Sequence, residues 1–95
     1  MSRGLKPIQL YEELLDVARR MFAEVRREEG LFQTGSCICR GKLILLINSR
    51  QSLEEKNSAL AREIAQMGSD RLYLKPAVRA EVERWSDQPG SAGHP

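Results

Sequence analysis

Cys37 and Cys39 are the most reactive side chains that stand close together in this sequence. Two thiolates can bind zinc when two further ligands are available. The chain offers one histidine, His94, and no second cysteine pair, so we predict no metal site and no cofactor. On a strand both thiols would share a face, with Cβ vectors poorly aimed for a disulfide. The spacing therefore favours free thiols in buried or half-buried positions, packed as small apolar side chains.

Glu63 lies in a segment, Arg62-Glu63-Ile64-Ala65-Gln66, that overlays on the metallopeptidase motif H-E-x-x-H. Glu63 takes the place of the general base, while Arg62 and Gln66 replace both metal-binding histidines. The order of helix, hairpin and helix around it resembles the core of small zincin metallopeptidases over about residues 11–67. Without metal ligands, this resemblance implies a degenerate, non-hydrolytic domain that binds peptides, with Glu63 facing a groove beside the hairpin. The alternative is a surface or interface carboxylate.

Lys75 and Arg79 flank Pro76 at the predicted start of a helix. Free N–H groups at a helix N-terminus and two nearby cations can hold a small anion or a phosphate. Arg50 would join them if the strands before Arg50 and Lys75 were parallel neighbours, because ligands bind at the carboxyl ends of such strands. The alternative is that both cations pair with acidic residues of the neighbouring helices.

The element that must position these residues is the run Leu43–Ile47, five consecutive large aliphatic side chains. An unbroken aliphatic strand needs cover on both faces, so this run is predicted to be the central strand of a sheet. Ser36–Arg40 and Lys42–Asn48 flank Arg40-Gly41, which predicts an antiparallel hairpin with a tight turn. Arg71–Leu74 is predicted to be a third strand, parallel to the central one.

Apolar residues spaced by three and four predict one helix from Pro7 to about Glu28. Ser52 and Glu55 form a capping box, which predicts a second helix over Leu53–Met67 with Gly68 as its cap. A third helix follows Pro76, with an apolar stripe of Val78, Val82 and Trp85. The sequence thus predicts an α+β domain in the order α-β-β-α-β-α, in which helices cover a three-stranded mixed sheet.

The 95 residues predict a single domain over residues 1–85, followed by a polar, proline- and glycine-rich disordered tail over 86–95. Basic and acidic residues are interleaved and the net charge is only +2, so nucleic acid is not an expected partner. No stretch approaches the length of a membrane span or a secretory signal. We expect a cytoplasmic protein.

A second resemblance is carried by residues along most of the predicted domain. They are Gly35, Cys37, Gly41, Ile47, Asn48, Arg50, Glu55, Lys56, Leu60, Ala61 and the segment 72–79. The pattern resembles that of small uncharacterised bacterial proteins, which implies a stand-alone bacterial domain and no particular activity. No residue is predicted to be catalytic.

A small sheet with an aliphatic centre leaves its edges open for association, and one face as well where no helix covers it. The leading hypothesis is therefore a non-enzymatic protein-interaction module that binds itself, as a homodimer, or another protein. The alternatives are anion binding by Arg50, Lys75 and Arg79, and peptide binding beside Glu63.

Overall fold

A computed structural model of the chain describes residues 5–68 and 72–86, and these fold around a three-stranded sheet. The elements in order are α1 (Pro7–Met21), β1 (Glu24–Glu28), β2 (Gly35–Cys39), β3 (Lys42–Asn48), α2 (Leu53–Met67) and α3 (Pro76–Ser86). Three helices and a mixed sheet confirm the predicted α+β class. Within the described ranges, no helix has the length and apolar character that crossing a membrane requires.

The aliphatic strand β3 is the middle strand, as predicted, in a sheet ordered β1-β3-β2. It pairs antiparallel with β2, with Cys39 opposite Lys42, and parallel with β1, with Val25 opposite Leu45. The turn between β2 and β3 consists of Arg40 and Gly41, whose φ angles are +55° and +79°. Positive φ at both central residues is the geometry that a two-residue hairpin favours, so the predicted hairpin is confirmed.

The parallel strand is β1, whereas the sequence predicted that these residues would end the first helix. Helix α1 stops at Met21, and Phe22 is already extended. From there the backbone pairs with β3, beginning with the bond from the Ala23 N–H to the Leu43 carbonyl (3.0 Å). Val25 fits the apolar stripe of a helix and also the inward-facing position of a strand. Its spacing in the sequence therefore could not distinguish a helix from a strand. The ladder to β3 outweighs the helix propensity of the surrounding glutamates and arginines.

The predicted strand at 71–74 is therefore wrong as far as the structure describes it. Leu72, Tyr73 and Leu74 form no strand, and Arg71 lies outside the described residues. Leu74 is instead buried in the helical core, where it anchors the connection into α3. Because β1 takes the parallel position, the observed element order is α-β-β-β-α-α.

All three helices pack on one face of the sheet. Their buried side chains form one cluster with Leu45 and Ile47, against which Leu43 and Val25 also pack. Alternate residues of a strand point to opposite faces, so Ile44 and Leu46 point away from this cluster. The helices contribute Tyr11, Leu14, Leu15, Val17, Ala18, Leu60, Ala61, Ile64, Val78 and Val82. The fold is thus two layers, and the second face of β3 has no helix over it.

Local signals place the last two helices as predicted. The Ser52 hydroxyl accepts from the Glu55 N–H (3.0 Å), the Glu55 carboxylate accepts from the Ser52 N–H (2.9 Å), and α2 ends at Gly68. Helix α3 begins at Pro76 and packs mainly against α2. Ser86 belongs to α3 rather than to the predicted tail, and residues 87–95 of that tail lie outside the described residues.

Asn48 holds the connection between β1 and β2, which passes the carboxyl end of β3. Its amide nitrogen donates to the carbonyls of Gly30 and Phe32. Its backbone N–H donates to the Thr34 hydroxyl (3.0 Å), and its side-chain oxygen accepts from the Arg50 N–H (3.0 Å). The residue is buried, so these bonds replace water that it has lost. One side chain therefore fixes the route by which β1 and β2 reach opposite sides of β3.

We expect Asn48→Ala to lower the free energy of unfolding by about 2–3 kcal/mol, because it leaves two carbonyls and one N–H without a protein partner. Urea denaturation monitored by circular dichroism measures the change. Ser49→Ala is the matched control, since Ser49 is exposed and we expect a change within about 0.5 kcal/mol. Equal effects of the two substitutions would contradict the role given to Asn48.

Candidate interaction site

Strand β2 is an edge strand whose side chains are largely open to solvent. Ser36, Cys37, Ile38 and Cys39 are all exposed, and Ile38 retains 74% of its accessible surface. Both cysteines are free thiols. The prediction that they would be buried or half-buried is wrong, because β2 is an edge strand. Cys37 lies beside Ile44 on the face without helices, but Ile44, in the central strand, is buried whereas Cys37 is exposed.

The outer backbone of β2 offers hydrogen-bonding groups at two residues. In a two-residue hairpin the pair next to the turn, Cys39 and Lys42, bonds inward, and inward and outward residues then alternate. The N–H and C=O groups of Ser36 and Ile38 therefore point away from β3. At the next outward position the Thr34 N–H is already bonded to the Gln51 side-chain oxygen (3.1 Å). The free part of the edge thus runs from Ser36 to Ile38.

The other edge, β1, carries charge along its whole length. Its sequence Glu-Val-Arg-Arg-Glu includes Arg26, whose Nε lies 3.3 Å from the Glu24 carboxylate and 3.8 Å from that of Glu28. Charged side chains on an edge strand discourage pairing with another strand, since the incoming backbone would have to displace them from water. Strand β2 has no charged residue. The two edges are therefore unequal, and only β2 is unprotected.

Glu63 on α2 lies beside the start of β2. It is 9% exposed, and its Oε2 would be 3.7 Å from a Cβ atom built on Gly35. Within the described residues, no hydrogen bond or ion pair reaches its carboxylate. Its neighbour Arg62 is directed toward α3, where its guanidinium lies 5.8 Å from the centre of the Trp85 ring. The Glu63 side chain is thus mostly covered, and its carboxylate has no cation beside it among the described residues, next to the open edge.

A polar groove of about 420 Å³ lies next to this edge. It is lined mostly by polar and charged residues, which are Gln33, Thr34, Gln51, Glu54, Glu55, Ser58, Ala59 and Arg62. Gln51 closes it toward the sheet, because its oxygen accepts from both the Thr34 N–H and the Thr34 hydroxyl. Among the described residues no cluster of three metal-ligating side chains occurs. The lining supplies hydrogen-bonding groups that a polar side chain of a bound segment could contact.

The three cations predicted to bind an anion, Arg50, Lys75 and Arg79, do not have the neighbours that the prediction assumed. Lys75 pairs with Glu13 at 2.8 Å, and the hydrogen bond and charge of Glu13 raise the pKa of Lys75. Arg79 lies 3.9 Å from Glu83, one turn along α3. Arg50 follows β3, but the parallel neighbour of β3 is β1, so the geometric reason for grouping Arg50 with Lys75 and Arg79 is absent. Carboxylates already neutralise two of the three.

Comparison with known proteins gives no match to a family model, a curated protein or a solved structure.

The unprotected β2 edge was not singled out from sequence as a site. Its signal is the absence of charge from Gly35 to Cys39, within a chain in which 29% of residues are charged. The absence of charge indicates a possible pairing surface only when the sheet order is known, because β2 must be an edge strand and β1 the opposite edge.

Proposed function

We propose that this protein is a non-enzymatic interaction module that self-associates through the outer edge of β2. A second copy adds its own β2 as a neighbouring strand, so that two three-stranded sheets become one of six strands. Strand addition supplies main-chain hydrogen bonds for affinity and side-chain packing for specificity. The single observation that carries the proposal is the contrast between the uncharged, exposed β2 edge and the charged β1 edge.

Ile38 gives this edge an apolar contact. Its exposed side chain lies on the helix-bearing face, since it pairs with Leu43, yet it extends beyond the helices. Covering such a side chain removes apolar surface from water and stabilises the pair. The free edge spans only Ser36 to Ile38, so the contact is small and typical of weak, reversible association.

We also propose a cytoplasmic location. Cys37 and Cys39 are exposed free thiols, and such thiols persist in compartments kept reducing by cellular thiol systems.

A second candidate uses the same edge for an extended peptide from another protein. The position of Glu63 beside Gly35 favours it, because a carboxylate there can accept from a donor on the incoming strand. One measurement distinguishes the two candidates. If the protein self-associates, the average molecular mass of the purified protein in solution increases with its concentration.

We expect Ile38→Lys to weaken the dimer at least about tenfold, because it replaces the apolar contact with a charge that an incoming strand must desolvate. Light scattering coupled to size-exclusion chromatography, over a concentration series, measures the dissociation constant.

Leu31→Lys is the matched control. Leu31 is a fully exposed aliphatic residue outside the strands, so we expect the same dimer as in the unmodified protein. A monomeric mass for the unmodified chain at every concentration, or equal effects of the two lysines, would refute self-association through β2.

A further inference from the structure

The charges on either side of the β2 edge are complementary and spaced to meet in a symmetric dimer. Glu63 is a residue with 9% exposure whose carboxylate has no partner among the described residues, and Arg40, at the hairpin tip, is an exposed cation without one. We propose that each copy supplies Arg40 to Glu63 of the other, so that two reciprocal ion pairs complete the interface. This inference rests on the proposed function and specifies its register and its partner, a second copy of this chain.

The register follows from which backbone groups are free. A two-fold axis places the same strand segment on both sides in antiparallel orientation. An axis at Ser36 would pair Thr34 with Ile38, but the Thr34 N–H is already bonded to Gln51. An axis at Ile38 would pair Ser36 with Arg40, which has a φ of +55° and has left the strand.

An axis at Cys37 uses both free residues. Ser36 then lies opposite Ile38 of the second copy, and Ile38 opposite its Ser36. Each of these pairs exchanges two backbone hydrogen bonds, because both residues direct their N–H and C=O groups outward. Cys37 lies opposite Cys37 of the second copy in a pair that is not hydrogen-bonded, where side chains approach most closely.

The same register brings Arg40 to Glu63. Gly35 lies opposite Cys39 of the second copy at the spacing of adjacent strands, about 4.8 Å, so Arg40, the turn residue after that cysteine, lies near Thr34 and the start of β2. Glu63 faces this point, because its Oε2 lies at contact distance from where a Gly35 side chain would begin. Because residue 35 is a glycine, no side chain at this position stands between the Glu63 carboxylate and the incoming strand. An arginine and a carboxylate removed from bulk water form a strong, geometrically specific pair.

Disulfide trapping tests the register. Diamide removes two electrons and two protons from a pair of thiols, forms the disulfide and is itself reduced to the hydrazine. The Cys39→Ser variant, which keeps Cys37, should form a covalent dimer under diamide. The Cys37→Ser variant, which keeps the equally exposed Cys39, should remain at least about tenfold less cross-linked, since Cys39 then lies opposite Gly35. Equal cross-linking of the two variants overturns the register.

Charge exchange tests the ion pair. Arg40→Glu and Glu63→Lys should each weaken the homodimer at least about tenfold, because each places like charges together twice. Mixed one to one, they should form a heterodimer with both pairs attractive, at an affinity near that of the unmodified protein. Native mass spectrometry separates the three species by mass. Lys42→Glu, the same charge change across the hairpin from Cys39, should fail to rescue Glu63→Lys.

Thermal melting of each variant alone confirms that it folds. If Glu63→Lys does not fold, a double-mutant cycle with Arg40→Ala and Glu63→Gln decides instead, and we expect the double variant to be no weaker than the weaker single variant. Folded variants that form no heterodimer, or additive effects in the cycle, overturn the ion pair. If the dimer depends on Ile38 but not on Arg40 and Glu63, this inference is refuted and the proposed function is not. If the protein is a strict monomer, both are refuted.

Discussion

The structure depends on Asn48, because β3 can be the middle strand only if the chain passes from one of its edges to the other. Strands β1 and β2 follow each other in sequence and yet lie on opposite sides of β3. The connection between them crosses the end of β3, where its Gly30 and Phe32 carbonyls and its Thr34 hydroxyl bond to Asn48. A buried polar side chain with every bond made tolerates little change in the backbone around it. The order of the sheet, and hence the identity of its edges, follows from this one residue.

That order determines which surfaces remain for function. The helices cover one face of β3 through Leu43, Leu45 and Ile47, and the charged strand β1 protects one edge. What remains is the second face of the sheet and the β2 edge, which lies next to a carboxylate on α2 that no described residue neutralises. Natural sheets protect exposed edges with charges, prolines, bulges or cover, and β2 has neither a charge nor a proline. An edge in this state is the reason why we propose that a second strand pairs with it.

The sequence was most informative where a local signal and the hydrophobic pattern agreed. Leu53–Met67 was predicted with its observed bounds, because the capping box of Ser52 and Glu55 marks the start and Gly68 the end. The turn at Arg40-Gly41 and the aliphatic run fixed the hairpin and its central strand. The segment Glu24–Glu28 was assigned to a helix, since one valine among four charged residues fits both periodicities and only the pairing with β3 decides between them.

The candidate site shows the same division between local and tertiary information. Glu63 could be singled out from its motif position, and it does lie beside the hairpin. The grouping of Arg50 with Lys75 and Arg79 depended on which strand lies parallel to β3, and that strand is β1 instead of the predicted one. The exposure of Cys37 and Cys39 depended likewise on a face that no helix covers. Features that depend on residues distant in sequence could thus not be predicted, whereas features that depend on residues within one helical turn could be.

Amide hydrogen exchange at Ser36 and Ile38 tests the central claim, that the β2 edge is a pairing surface, most directly. These N–H groups point away from β3, so in a monomer they exchange rapidly, and pairing with a second strand slows their exchange. We predict protection at both amides that rises with protein concentration, while the outward amides of β1 show no such dependence. Rapid exchange of Ser36 and Ile38 at every concentration would contradict the account.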